Sequence, residues 1–125
     1  MNSYTVAVPG VPKPWSVNIR RSAPPAFLVY QGEIQGAIRA KLGAIVPLTG
    51  PLELTITFVL PLTRTAKRMG YVTPDLTNLV KAAEDACQGI LFENDSQIIK
   101  VTALKRYLLG DPCTIITVRM MEGVR

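Results

Sequence analysis

The sequence predicts an α+β fold: a small mixed β-sheet with helices packed on one face, in the order β-α-β-α-β-β. Three observations carry it. Residues 51–60, PLELTITFVL, alternate Leu52, Leu54, Ile56, Phe58 and Leu60 against Glu53, Thr55 and Thr57, the period of a half-buried strand. From Pro74 onward apolar side chains recur at helical spacing, and Gly89 is placed to stop a helix at C′. Residues 97–107 and 113–121 are rich in β-branched residues and are split by Gly110, Asp111 and Pro112, the pattern of an antiparallel hairpin.

The remaining elements follow in chain order. Residues 3–8, SYTVAV, alternate as a short first strand. Five prolines in PGVPKPWSVNIRRSAPP then forbid regular structure for long, leaving a loop that carries Lys13, Trp15, Arg20 and Arg21. From Gln31 to about Ile45 the run IQGAIRAKLGAI predicts an amphipathic helix weakened by Gly36 and Gly43. TRTAKRMGYVT, residues 63–73, reads as a basic connection. With 125 residues, no repeat and no low-complexity linker, residues 1–125 are expected to form one domain.

Composition narrows the chemistry. A net charge of +5 favours an anionic partner, and nucleic acid stands ahead of membrane because no basic amphipathic helix or membrane-length apolar run occurs. Two cysteines are too few for a disulfide framework or a zinc site, which suits a reducing cytoplasm. There is no histidine, so Ser-His-Asp and Cys-His catalysis and a histidine general base are excluded. Carboxylates, lysine, hydroxyls and water remain.

The carboxylates are unevenly spread. Of nine acidic residues, Asp75, Glu84, Asp85, Glu93 and Asp95 fall between positions 75 and 95, and Lys81 is the one lysine or arginine inside that window. Asp75 stands at the mouth of the predicted helix, where it can either cap free N–H groups or present its carboxylate to a ligand. Thr77, Lys81 and Asp85 follow at i, i+4 spacing on the polar face. They form either a solvated stripe with a Lys81–Asp85 ion pair, worth about 0.3–0.5 kcal/mol, or a lysine poised for phosphate. Asp95 lies in the turn-forming run END, and a following strand that runs back along the helix would return it toward Asp75. Two aspartates converging from separate elements would make a hard oxygen site suited to Mg²⁺ or Mn²⁺.

The run PDLTNLVKAAEDACQGILFENDSQI resembles the signature of the RusA-like Holliday junction resolvases, often encoded by phages and prophages: P-D-x-D-N-L-x-K-A-x-x-D-A-L, then D-D-x-Q. The likeness covers nearly the whole chain and is most specific over residues 74–98. It implies a dimeric, metal-dependent endonuclease of mixed α/β fold that cuts four-way DNA junctions by paired nicks. By position, Asp75 and Asp95 match the family's metal-binding aspartates and Lys81 its catalytic lysine. Thr77 departs from the pattern, standing where the family has a second Asp, and Asn94 replaces the first Asp of the later pair. The vacancy is open to Asp85, Glu84, Glu93 or water, and Thr77 can orient a metal-bound water. Lys13, Arg20, Arg21, Arg64, Lys67 and Arg68 are the candidate DNA contacts. A branched-DNA-binding protein with weak or absent catalysis is the alternative, because phosphate contacts supply affinity without chemistry.

Overall fold

A computed structural model of the chain describes residues 2–16 and 26–122. The elements run β1 (Ser3–Pro9), α1 (Ala26–Leu42), β2 (Leu52–Pro61), α2 (Arg64–Met69), α3 (Leu76–Cys87), a single 3₁₀ turn (Asp95–Gln97), β3 (Ile98–Leu108) and β4 (Cys113–Met120). The four strands form one sheet in the order β1-β4-β2-β3. β4 is antiparallel to both its neighbours, whereas β3 runs parallel to β2, so the sheet is mixed as expected.

The inward side chains of the strands, among them Val6, Val8, Leu54, Ile56, Phe58, Ile116 and Val118, join Ile34, Ile38, Leu79, Ala83 and Cys87 of the helices in one buried cluster. The helices therefore cover one face. The opposite face shows alternate residues such as Thr5, Thr55 and Thr57, which are half-buried or exposed. Inside the core the hydroxyls of Tyr30 on α1 and Thr114 on β4 satisfy each other, so neither polar group is left buried and unpaired. No helix among the described residues is long and apolar enough to cross a membrane.

Three sequence expectations change. Helix α1 starts at Ala26, five residues before Gln31, because its buried stripe of Phe27, Tyr30, Ile34 and Ile38 begins at Phe27. It ends at Leu42, since Gly43 takes a left-handed φ of 67°. The basic connection contains α2, capped by the Thr63 hydroxyl, which accepts from the Ala66 N–H at 3.1 Å, and closed by Gly70 at φ 81°. The two C-terminal strands do not pair with each other. β4 buries Thr114, Ile116 and Val118 and takes an interior place between β1 and β2, while β3, bearing Lys100, Lys105 and Arg106, becomes an edge. Charged side chains suit an edge, where they discourage further strand pairing.

Candidate active site

Asp75 is set by what immediately precedes it. The segment Val72–Pro74 leads from α2 into α3, and two side chains of β3 grip its backbone. The Tyr107 hydroxyl accepts from the Val72 N–H and donates to the Val72 carbonyl, both at 3.1 Å. The Lys105 ammonium donates to the carbonyls of Val72 and Pro74, each at 2.9 Å. The Thr73–Pro74 peptide is cis. Asp75 follows as the N-cap residue of α3, with its carbonyl accepting from the Leu79 N–H at 3.1 Å.

The Asp75 carboxylate makes no capping hydrogen bond. Of the two roles open to it at a helix start, capping is not the one it takes. Instead it borders a cleft of about 540 Å³ whose walls include Val11, Lys13, Trp15, Thr63, Asp75 and Asn78. The loop forming the near wall is tied to the helix by the Trp15 N–H, which donates to the Asn78 carbonyl at 3.0 Å. The cleft thus lies between the proline-rich loop and the approach to α3, with an acid at its edge and Lys13 at its rim.

The polar stripe of α3 is present as the sequence predicts. Thr77, Lys81 and Asp85 are exposed while Leu79, Ala82, Ala83, Ala86 and Cys87 are buried. The Lys81–Asp85 ion pair does not form; the ion pairs among the described residues are those of Glu53 with Lys100 and Arg119. The Lys81 ammonium lies over the Trp15 ring, 5.0 Å from its centroid. Arg64, Lys67 and Arg68 are exposed on α2, directly after the cleft residue Thr63. Arg20 and Arg21 fall outside the described residues.

Asp95 is not brought to Asp75. It opens the 3₁₀ turn beyond the far end of α3, where its backbone N–H donates to the Gln88 side chain at 3.2 Å. Asn94 caps that turn through its side chain, and Gln97 completes a capping box. A helix of 12 residues separates the two aspartates, about 18 Å of rise. β3 does run back along the helix, but Asp95 precedes that strand, and the residues it returns to the start of α3 are Lys105 and Tyr107. Near Asp95 is Glu84. Burial raises the Glu84 carboxyl above the usual glutamate value, the charges of Asp95 and Asp85 add to the rise, and Lys81 opposes it. Among the described residues no three acidic or cysteine side chains converge to hold a metal ion.

The sequence reading does not single out Lys105 and Tyr107, which the structure places at the approach to Asp75. Their signal was present: Val101, Ala103, Lys105 and Tyr107 are alternate residues on β3, paired with Leu54, Ile56, Phe58 and Leu60 of the buried face of β2. A lysine at an inward position needs polar partners, and the carbonyls of Val72 and Pro74 supply them. The family profile described as Endodeoxyribonuclease RusA matches residues 12–119. No curated protein matches the chain.

Proposed function

The chain belongs to the RusA endodeoxyribonuclease family, and from that premise we propose that it resolves four-way DNA junctions as a homodimer, by paired phosphodiester hydrolysis dependent on Mg²⁺ or Mn²⁺. The observation that carries this is Asp75: its carboxylate makes no capping bond, its residue lines a cleft, and the backbone of Val72 and Pro74 that leads into it is held by Lys105 and Tyr107. A group that must meet a scissile phosphate benefits from such fixed placement, since small displacements in an active site cost large factors in rate.

Each residue has a distinct task. Asp75 presents its charge at the cleft. Lys81, which forms no ion pair with Asp85 and lies over the Trp15 ring, offers its ammonium to a phosphate oxygen or a departing alkoxide. Arg64, Lys67 and Arg68, with Lys13, supply phosphate contacts that orient the duplex arms without reading sequence.

The acids of one chain do not form a two-aspartate cation site, given the length of helix between Asp75 and Asp95. We infer that two chains complete it: a dimer axis that set α3 antiparallel to its partner's copy would bring Asp75 of one protomer toward Asp95 of the other, twice, and would also yield the two cutting sites that paired nicking requires. Incubation of purified protein with a labelled mobile four-way junction, with Mg²⁺, Mn²⁺ or EDTA, is the test. Paired, metal-dependent nicks near the branch point are expected. Binding without cutting in any metal would leave a branched-DNA-binding protein.

A further inference from the structure

Lys81 is held by something other than a carboxylate. Its ammonium sits 5.0 Å from the Trp15 ring centroid, within the range of a cation–π contact. The ring itself is fixed from two further sides. Its backbone N–H donates to the Asn78 carbonyl, three residues before Lys81 on α3, and its ring lies 6.4 Å from that of Phe27 in a tilted pair at 49°. Trp15 is also half-buried against the main core. Its position is therefore tied to α3, to α1 and to the core together, and it lines the same cleft as Asp75.

We propose that Trp15, a wall residue of the Asp75 cleft, is a positioning residue that holds the Lys81 ammonium beside that wall without pairing it to a carboxylate. This rests on the reading of Lys81 as a phosphate-contacting group. The alternative anchor, Asp85 at i+4, would restrict the same flexible side chain but would also neutralise it and compete with the phosphate. An aromatic face attracts the cation through its quadrupole and carries no net charge, so it limits the rotamers of a long side chain without lowering its attraction for an anion. A packing role for Trp15 would place no requirement on the side chain at position 81.

The protein contains a single tryptophan, so its emission reports on this contact directly. Lys81→Met, which keeps the length and removes the charge, is expected to change Trp15 emission in the free protein. Cleavage kinetics of a four-way junction under single-turnover conditions then separate positioning from folding, with far-UV circular dichroism verifying each variant. Trp15→Leu is expected to slow cutting by about fivefold with junction affinity in EDTA unchanged, and Trp15→Phe to recover most of that loss. In the Lys81→Met background, Trp15→Leu is expected to cause no further slowing, since the residue it acts through has gone. Equal, multiplying losses from Trp15→Leu in both backgrounds would overturn the proposal, as would Phe serving no better than Leu. Lys81→Met cutting normally would sink the underlying assignment of Lys81. Lys81→Met cutting slowly while Trp15→Leu cuts normally would sink the positioning role alone.

Discussion

The Lys105 ammonium on the edge strand donates to the Pro74 carbonyl at 2.9 Å, one residue before the carboxylate that borders the cleft. Together with Tyr107 it ties the far end of β3 to the start of α3. Tyr107→Phe removes one hydroxyl that both accepts from and donates to Val72, and is expected to lower stability by about 1 kcal/mol in urea unfolding. Lys105→Met removes two charge-assisted bonds and is expected to cost more, about 1.5–3 kcal/mol. Both variants are expected to slow junction cutting more than they weaken junction binding, because Asp75 loses its fixed approach.

Asp75→Asn is expected to abolish cleavage while leaving junction affinity in EDTA intact or improved, since only a negative charge facing DNA has gone. Because the carboxylate makes no capping bond, the substitution should leave the melting temperature nearly unchanged. Full cutting by this variant would remove Asp75 from the chemistry.

Lys81→Ala should depress the single-turnover rate far more than the affinity for the junction, as expected of a contact that strengthens in the transition state. A shift confined to affinity would mark it as one more phosphate contact.

Glu84 gives a pH signature. Its carboxyl is raised by burial and by Asp95 and Asp85, so the folded state binds the proton more tightly than the unfolded chain does. The associated stability is present in full below the ordinary glutamate value and is lost as pH rises through the raised folded value. Glu84→Gln is therefore expected to raise the melting temperature at pH 7 relative to the native protein and to confer no such gain at pH 4. An equal change at both pH values would show that the side chain acts through packing.

Thr77 stands exposed in the first turn of α3, two residues from Asp75. Thr77→Asp adds an anionic oxygen where the family pattern has one, and is expected to shift the Mg²⁺ midpoint of cleavage several-fold lower. An unchanged or higher midpoint would mean that another carboxylate already fills that role.

The fold and the site were legible to different depths. Strands with strict alternation, such as Leu52–Pro61, and the helix bounded by Pro74 and Gly89 could be read directly, because period and caps are local properties. The place of β4 between β1 and β2 could not. It depends on which strand can bury both flanks, a comparison between the apolar interior of β4 and the lysines of β3 across the whole sheet. The same limit governs the site. Asp75, Thr77 and Lys81 were read as neighbours along one helix and are so. The approach of Asp95 rested on where the next strand begins, and that strand returns Lys105 instead.

Subunit mixing tests most directly the proposal that Asp75 and Asp95 act together across a dimer. A heterodimer of Asp75→Asn and Asp95→Asn protomers, isolated by two different tags, carries one composite site with both aspartates intact and one with neither. Each homodimer is expected to be inactive, and the isolated heterodimer is expected to recover single-strand nicking of the four-way junction without paired cuts. No nicking by the isolated heterodimer, or failure to recover a species bearing both tags, would contradict the shared site.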